Sequence, residues 1–263
     1  MDEDRVALAR RAAEAGAAVA ADRFRTDLDV EHKNGKTDVV TQADRDAQTA
    51  VVDVIRERYP DVAVVGEEDE ELKDVPDTGP AWVIDPIDGT NNFARGTHLW
   101  GVCVAVAEGG EPAGGATVLP ALAETYVAGA DGATRDGTVL SVSDREDPAE
   151  LLVAPVFGLK DRDRPQYRAV TAAVLDSFGD VRQTGSGQTT LALVAADGVD
   201  AAVSTVPMAP WDTLLGVSLV RNAGGRVTDL DGERWHHDSE SLIATNGACH
   251  DVVLDVVRDA VAR

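Results

Sequence analysis

The sequence predicts a two-lobed protein of the α+β or α/β class, and two observations lead to that prediction. Residues 62–129 contain short apolar runs separated by turns rich in Gly, Pro and Asp, which is typical of a mostly antiparallel sheet. Beyond about residue 140, strand-like runs alternate with helical ones, which indicates a lobe of the α/β type. We therefore expect an N-terminal α+β lobe over residues 1–140 and a C-terminal α/β lobe over residues 141–263.

The N-terminal lobe is expected to begin with two helices that flank a hairpin. Residues 4–24 are rich in alanine, and their apolar side chains recur at helical spacing along one face. Residues 30–41 place an Asn-Gly-Lys turn between two short extended pieces, which predicts a hairpin. A second helix is predicted over residues 42–59, because Pro60 follows directly. The strands that complete this lobe are predicted at residues 62–65, 81–85, 100–108, 112–119 and 124–129.

The C-terminal lobe is expected to alternate strands with helices. Strands are predicted at residues 151–157, 199–204 and 241–246, and helices at residues 164–178, 188–197, 210–223 and 247–261. The third of these helices has a clear end, because the sequence Ala223-Gly224-Gly225 supplies the glycine that commonly closes a helix.

The charge of the chain limits its partners. The net charge is −23 and the sequence pI is near 4.4, so nucleic acids and anionic membranes would be repelled. Lysine occurs only four times, and aromatic residues make up only 4 % of the chain. Such an acidic surface is tolerable when salt screens it, and we hypothesise that the chain is adapted to a salt-rich, halophilic cytoplasm.

The sequence indicates neither a targeting signal nor cysteine chemistry. No apolar run approaches the roughly 20 residues needed to cross a bilayer, and the acidic N-terminus differs from the basic start of a signal peptide. A cytoplasmic location is therefore expected. Cys103 and Cys249 lack the C-x-x-C spacing of a metal site, and Cys103 lies in an apolar run that predicts a buried, unpaired side chain.

The segment AWVIDPIDGTNNF (residues 81–93) places two carboxylates directly after a predicted buried strand. Asp85 ends the strand, and a sharp turn would bring its side chain close to that of Asp88. The carbonyl of Ile87 would then face the same way. Two carboxylates and a carbonyl are the hard oxygen ligands that Mg²⁺ prefers.

The two residues that follow this carboxylate pair suit a phosphate group. Gly89 lets the backbone approach a ligand closely, because it has no side chain. The N–H groups of Gly89 and Thr90 stand at the start of a turn or short helix, where anions bind. Taken alone, however, the segment is equally compatible with a strand followed by an ordinary Asp-Gly turn.

Three further segments carry acidic or polar side chains at the boundaries of predicted elements. Glu67 directly follows a strand, whereas residues 69–71 are interpreted as a solvated acidic loop. Asp212 lies in the first turn of a helix, where an acidic residue is also a common capping group. Asp44 lies at the start of the second helix, and either Thr41 or Asp44 would be sufficient to cap it.

In their order along the chain, these segments resemble one family. GEE at 66–68, DPIDGTNNF at 85–93, and WD at 211–212 followed by AGG at 223–225 are similar to motifs of the inositol monophosphatase family. Its relatives include archaeal fructose-1,6-bisphosphatases and 3′-phosphoadenosine-5′-phosphate phosphatases. The resemblance runs over roughly residues 1–261. It implies the sugar-phosphatase fold, a layered α-β-α-β-α sandwich with the site between the lobes, and a homodimer.

The resemblance also implies a set of metal ligands. Glu67, Asp85 and the carbonyl of Ile87 would hold one Mg²⁺. Asp85, Asp88 and Asp212 would hold a second Mg²⁺. A third and weaker Mg²⁺ would use Glu67 and water, so that each subunit binds two to three ions.

The resemblance further implies catalytic and substrate-binding residues. Asp44 and Thr90 would orient the attacking water, and Glu67 completes the expected catalytic set. The residues expected to bind substrate are Asp88, Gly89, Thr90, Ser186, Gly187, Thr205, Asp212 and Lys36, the last of which matches a mobile-loop lysine.

Electrostatics agree with metal-dependent chemistry at such a site. Five carboxylates in one cleft would repel each other, and some would take up protons in the absence of cations. Two or three Mg²⁺ would offset that charge, activate a water and stabilise the leaving oxygen of an in-line displacement. No protein nucleophile is then required.

The substrate pocket departs from the family pattern. Inositol monophosphatases have a glutamate that binds inositol hydroxyls at the position where this chain has Thr205. Residues 157–168 gather four basic side chains, Lys160, Arg162, Arg164 and Arg168. These side chains would either bind a second phosphate, which favours fructose-1,6-bisphosphate, or form a surface ion-pair loop.

Three functions stay open on this basis. The first is Mg²⁺-dependent hydrolysis of a small polyol or sugar phosphate, such as inositol monophosphate or fructose-1,6-bisphosphate. The second is a nucleotide phosphatase of the 3′-phosphoadenosine-5′-phosphate type, against which the low aromatic content argues. The third is a non-catalytic, metal-dependent binding protein on the same fold.

Overall fold

The fold is described from a computed structural model, which covers residues 3–26, 30–32, 39–68, 71–156 and 163–262. The helices are α1 (Glu3–Arg23), α2 (Gln42–Arg58), α3 (Thr90–Ala94), α4 (Arg164–Ser177), α5 (Gly187–Ala195), α6 (Pro210–Asn222) and α7 (His250–Val261), with a 3₁₀ turn at Pro148–Glu150. The strands are β1 (Val30–His32), β2 (Val39–Thr41), β3 (Ala63–Gly66), β4 (Pro80–Asp88), β5 (Gly101–Glu108), β6 (Glu111–Leu119), β7 (Glu124–Gly129), β8 (Gly132–Arg135), β9 (Thr138–Val139), β10 (Leu152–Pro155), β11 (Asp180–Val181), β12 (Ala201–Ser204), β13 (Arg226–Thr228) and β14 (Leu242–Thr245). Among these residues, no helix is long and apolar enough to span a bilayer.

The outer layer of the N-terminal half consists of α1 and α2, which pack together on one face of the first sheet. The predicted alanine stripe of α1 is buried, including Ala9, Ala13 and Ala20. Small side chains let the two helices approach closely, and Gly16 faces Val51 so tightly that a Cβ would lie 2.6 Å from it. The prediction of two helices around a hairpin is confirmed, because β1 and β2 pair antiparallel.

The first sheet has the strand order β3-β4-β5-β6-β7-β8-β9 within the described residues. Strands β3 and β4 run parallel, and each later pair is antiparallel. The predicted antiparallel sheet is therefore confirmed. Its hairpin connections follow from the Gly-rich turns between the apolar runs.

The second sheet has the order β11-β10-β12-β14-β13 within the described residues. Strand β10 lies parallel to both β11 and β12, whereas β14 lies antiparallel to both β12 and β13. The chain leaves the first sheet at Val139 and enters the second at Leu152. A division into two lobes near residue 140 stays a prediction.

The two sheets enclose a central helical layer. Helices α5 and α6 lie between the sheets in a shared core that includes Leu191, Leu214 and Tyr126. Helices α4 and α7 cover the outer face of the second sheet through Val174, Val253 and neighbouring apolar residues. The layers therefore run α-β-α-β-α, as the resemblance implied.

Several short elements were missed by the sequence analysis. Strands β8, β9, β11 and β13 contain two to four residues each, too few to show an alternating pattern. The turn between β7 and β8 uses Gly132 at φ +110°, a conformation that favours glycine. Cys103 and Cys249 are both free and buried, as expected for Cys103.

Candidate metal and phosphate site

The end of β4 brings two carboxylates to one side of the sheet. In a regular strand, Asp85 and Asp88 would point to opposite faces, because they are three residues apart. The pairing with β5 is irregular between these two positions: Asp85 lies opposite Cys103, and Asp88 lies opposite Gly101. This bulge turns both side chains toward each other. The backbone N–H of Ile87 donates to Asp85 Oδ1 at 3.1 Å and so fixes the turn.

A third carboxylate comes from the opposite half of the chain. Asp212 lies in the first turn of α6, where Pro210 begins the helix. One carboxylate oxygen from each of Asp85, Asp88 and Asp212 lies within 4.8 Å of the others. Oxygen atoms at this separation are close enough to share one cation, so the donor set fits Mg²⁺.

Two more acidic side chains act on this cluster. Burial raises the pKa of Asp85 well above its usual value, and the charges of Glu67, Asp88, Asp212 and Asp44 raise it further. Glu67 makes the largest of these charge contributions, although it lies outside the group of three carboxylates that converge within 4.8 Å. The five predicted carboxylates are therefore brought together, and their mutual repulsion is the kind that a divalent cation relieves.

Asp88 is fixed by the start of α5. Ser186 donates its hydroxyl to Asp88 Oδ2, and the backbone N–H groups of Gly187 and Thr189 donate to the same carboxylate at 3.1 and 3.2 Å. Burial raises the pKa of Asp88 to about 6, and these hydrogen bonds oppose the rise. Ser186 and Gly187 were predicted to touch substrate. The structure gives them Asp88 as a partner, and their contact with substrate stays a prediction.

Thr90 contacts the residue with which it was predicted to pair, and its role toward water stays a prediction. Its Oγ1 lies 3.3 Å from Oδ1 of the buried Asp44 and 3.0 Å from the carbonyl oxygen of Ile87. A hydroxyl has one proton, so it donates to one of these acceptors at a time and keeps lone pairs for a further donor.

The turn after Asp88 requires glycine and is fixed by an asparagine. Gly89 has φ +86°, and a Cβ there would lie 2.8 Å from the carbonyl oxygen of Leu99. Asn92, for which the sequence suggested no role beyond packing and turn formation, donates to the carbonyls of Leu99 and Thr184 at 2.6 and 2.8 Å. It therefore ties the loop after β4 to the loop before α5.

Two buried glutamines, which the sequence analysis missed, hold the acidic segments in place. Gln48 lies one helical turn after Asp44 and bonds both the N–H and the carbonyl of Glu68. Gln188 donates to the carbonyl of Trp211 at 2.6 Å and accepts from Gly216 N–H at 2.7 Å. The i, i+4 spacing from Asp44 to Gln48 places these two residues on one helix face, and it is a signal that could have found Gln48.

The acidic loop after β3 differs in part from the prediction. Glu71 accepts two hydrogen bonds from Arg56 at 2.9 and 3.2 Å and is one-fifth exposed, so it is not simply solvated. Glu68 is buried. Residues 69 and 70 lie outside the described residues.

Some predicted substrate contacts lie at the edge of what the structure describes. Lys36 and residues 157–162, including Lys160 and Arg162, lie outside the described residues. Arg164 and Arg168 lie at the start of α4. Thr205 is half-buried, and its Oγ1 has no hydrogen-bond partner within the described part of the chain.

Comparison with known proteins identifies the family. The model of the inositol monophosphatase family matches residues 1–262. A fructose-1,6-bisphosphatase/inositol-1-monophosphatase of Thermotoga maritima is 35 % identical over 88 % of this chain and 87 % of its own length. Nus factor SuhB of Escherichia coli (strain K12) is 31 % identical over 96 % of this chain and 95 % of its own.

A solved structure shares the fold. An IMPase of Thermotoga maritima superposes with a TM-score of 0.89 at 32 % identity and covers 98 % of each chain. Agreement of this extent includes both sheets and every layer between and around them. The family match over residues 1–262, together with relatives that align over most of both chains, shows that this chain belongs to the inositol monophosphatase family.

Proposed function

We propose that this chain is a Mg²⁺-dependent phosphatase that hydrolyses the monoester of a small polyol or sugar phosphate. The observation that carries the proposal is the convergence of Asp85, Asp88 and Asp212 within 4.8 Å. Beside it, Thr90 at the start of α3 contacts Asp44 in the first turn of α2. A carboxylate cluster alone serves many purposes. A cluster beside a hydroxyl–carboxylate pair suits the activation of water.

The protein side of the reaction follows from these positions. Asp85, Asp88 and Asp212 would hold Mg²⁺, joined by Glu67 and the carbonyl of Ile87. When bound, the ions would supply charge neutralisation for the phosphoryl group, an acidified water and stabilisation of the leaving oxygen.

The hydroxyl of Thr90 orients the water in this proposal. With its proton donated to Asp44, the Thr90 oxygen accepts a hydrogen bond from the attacking water. As the water gives a proton to the Thr90 oxygen, Thr90 passes its own proton to the carboxylate of Asp44, which becomes neutral. The N–H groups of Gly89 and Thr90 would bind phosphate oxygens, which keeps the phosphorus in line with that water.

The alcohol that leaves belongs to a class rather than to one compound. Inositol monophosphate and fructose-1,6-bisphosphate are both proposed, and the name of the Thermotoga maritima relative includes both activities. Thr205 supports the wider choice, because a threonine carries no charge that would repel a second phosphate. We further propose that the enzyme acts as a cytoplasmic homodimer, which sedimentation of the purified chain would test.

Phosphate release tests the proposal directly. The purified chain is incubated with inositol 1-phosphate, fructose 1,6-bisphosphate and 3′-phosphoadenosine 5′-phosphate, with and without Mg²⁺. We expect Mg²⁺-dependent release from at least one of the first two. Release from the nucleotide alone would favour the nucleotide phosphatase instead.

A pair of matched variants tests the metal assignment. Asp212→Asn removes a carboxylate from the first turn of α6, and Asp251→Asn removes one from the first turn of α7, away from the site. We expect a loss of turnover of about 10²-fold or more for the first variant and near-normal turnover for the second. Full activity of Asp212→Asn would refute the ligand set.

A second candidate function is non-catalytic binding. It is favoured by the 31 % identity to a protein named as a Nus factor. Mg²⁺ binding without release of phosphate from any of the three substrates would favour this candidate over the phosphatase.

A further inference from the structure

The ammonium of Lys73 bonds three successive carbonyls at the end of β3. Its Nζ lies 2.7 Å from the carbonyl oxygen of Gly66, 3.1 Å from that of Glu67 and 3.3 Å from that of Glu68. An ammonium has three N–H donors, so each carbonyl receives one. The middle carbonyl belongs to a predicted metal ligand.

The same ammonium also faces the segment that carries another predicted ligand. Nζ lies 5.8 Å from the centre of the Trp211 ring, within the usual range of a cation–π contact. Trp211 directly precedes Asp212 at the start of α6. Lys73 therefore connects the Glu67 segment in the first half of the chain to the Asp212 segment in the second half.

The backbone around Lys73 is fixed by strand-like bonds. Gly66 N–H donates to the carbonyl of Leu72 at 3.0 Å, and Leu72 N–H donates to the carbonyl of Val64 at 3.1 Å. The chain thus returns alongside β3 just before Lys73. Gln48 holds the backbone of Glu68 from the side of α2. The backbone at Glu67 is consequently held from two sides, by the buried Gln48 and by Lys73.

Repulsion among the carboxylates of the candidate site explains why a cation at Lys73 would matter. Glu67 and Asp85 directly follow the paired residues Gly66 and Ile84 on neighbouring strands, so their like charges repel each other across the edge of β3 and β4. Hydrogen bonds from an ammonium to the Glu67 segment resist that repulsion and are stronger than bonds between neutral groups. The cation also offsets part of the negative charge near the site.

We propose that Lys73 is a positioning residue that holds Glu67 and Asp212 at the separation required by Mg²⁺, and so sets the affinity for the ion. The inference rests on the proposed metal site. Lys73 is one of only four lysines in the chain, and its side chain reaches both ligand segments. It touches neither substrate nor reacting atoms in this proposal, and it acts through the two acidic residues.

The test measures metal binding rather than turnover. Lys73→Met keeps the aliphatic stem and removes the three donors and the charge. The matched control is Arg56→Met, which removes a cation that bonds Glu71 in the same loop but not the carbonyls at the end of β3. Each full-length variant is titrated with Mg²⁺ while its thermal unfolding midpoint and tryptophan fluorescence are recorded.

We expect Lys73→Met to raise the Mg²⁺ concentration at half-saturation by about tenfold, the usual effect of losing a group that orients a metal ligand. Arg56→Met should stay within about twofold of wild type. Lys73→Arg retains a cation over Trp211 and should recover part of the affinity. Lys73 is exposed, so the metal-free unfolding midpoint should change little in Lys73→Met. A role in folding alone would lower that midpoint and leave half-saturation unchanged.

Two outcomes would overturn the inference while the proposed function survives. One is a Lys73→Met variant that binds Mg²⁺ like wild type, and the other is an equal loss of affinity in Arg56→Met. A wild-type chain that does not respond to Mg²⁺ would overturn both. A third outcome separates the two proposals. If Lys73→Met binds Mg²⁺ more weakly than wild type, but the wild type releases no phosphate, the inference is supported and the phosphatase is not.

Discussion

At the residue scale, the position of the Thr90 proton decides how the candidate site works. The hydroxyl has two acceptors within reach, Asp44 Oδ1 and the carbonyl of Ile87. Donation to Asp44 leaves an oxygen lone pair for the attacking water. Donation to Ile87 competes for the carbonyl that the resemblance assigns to a metal ion. Occupation of that carbonyl by a cation would therefore favour the productive Thr90–Asp44 bond.

Thr90→Val should separate catalysis from binding. Valine has nearly the same shape as threonine but cannot orient water, so we expect kcat to fall by about 10²- to 10³-fold with little change in KM. Thr90→Ser keeps the hydroxyl and should lose much less. Steady-state kinetics at saturating Mg²⁺ provide both constants. A kcat of Thr90→Val within tenfold of wild type would show that the hydroxyl does not activate water.

Site residues that lie close together in the sequence could be predicted, whereas the residues that hold their segments in place could not. Asp85, Asp88 and Thr90 stand within six positions of each other, so the local backbone alone brings them together. Gln48 and Lys73 act through hydrogen bonds to a segment that only the folded chain places beside them. A lysine in a loop is common on any surface, and the i, i+4 spacing of the buried Gln48 from Asp44 is only a weak signal, so little in the sequence selects either residue.

At the element scale, the same contrast separates long strands from short ones. Strands β5 and β6 contain eight and nine residues, and their apolar pattern predicted them within one residue at each end. Strand β13 contains three residues and is a strand only because β14 lies beside it. The bulge at Asp85–Asp88 was expected as a sharp turn, and it is instead an irregularity within one continuous strand.

Helix α7 is joined to the second sheet by one buried histidine. His250 begins the helix, with Nε2 3.0 Å from the hydroxyl of Thr228 on β13 and Nδ1 2.9 Å from that of Thr245 on β14. A neutral imidazole has one donor and one acceptor, and both hydroxyls can match it. Burial, followed by the charge of Arg226, lowers the pKa of His250 to about 4.

This pKa predicts how stability depends on pH. Between pH 6.5 and 4, the unfolded chain binds a proton at His250 that the folded chain does not, so stability falls as the pH falls, by roughly 1 kcal/mol for each pH unit. Above pH 6.5 both states are neutral and this contribution is constant. His250→Gln should lose this slope. Urea unfolding at pH 5 and pH 7 measures it for both proteins.

The carboxylates of the candidate site make stability depend on pH with the opposite sign. Comparing wild type with His250→Gln removes this contribution. Asp88 has a raised pKa of about 6, so the folded chain binds a proton first and gains stability as the pH falls. Because this contribution is common to both proteins, the difference between wild type and His250→Gln isolates the histidine. His237→Gln, which changes a partly exposed histidine, serves as the control and should keep the wild-type slope. Equal slopes in all three proteins would contradict the prediction.

At the scale of the whole molecule, the layered architecture was not readable from strand and helix patterns alone. Those patterns predicted two lobes but fit several two-lobed folds. The choice among these folds came from the resemblance of the motifs to those of the inositol monophosphatase family. What patterns lack is the pairing between distant segments: β14 lies between β12 and β13, and β10 lies between β11 and β12. Such order depends on contacts over long stretches of chain, which local periodicity does not encode.

The charge of −23 is a property of the whole molecule that opposes its folding. Exposed carboxylates stand on the outer helices of both halves, including Asp53 and Glu57 on α2 and Asp255 and Asp259 on α7. Folding brings these charges closer than they are in the unfolded chain, so their repulsion opposes folding. Salt shortens the Debye length from about 10 Å at 0.1 M to about 3 Å at 1 M, and the repulsion weakens accordingly.

We therefore expect the thermal unfolding midpoint to rise by about 5 °C or more between 0.1 and 1 M KCl, which corresponds to roughly 1–2 kcal/mol for a chain of this size. Differential scanning calorimetry without Mg²⁺ measures the change apart from metal binding. The control removes four of the exposed charges together, as Asp53→Asn, Glu57→Gln, Asp255→Asn and Asp259→Asn. Because it carries less repulsion, this variant should unfold at a higher temperature in 0.1 M KCl and gain less from added salt. An equal gain in both proteins would mean that KCl acts on apolar surface rather than on charge, and the hypothesis of a salt-adapted chain would then lose its physical basis.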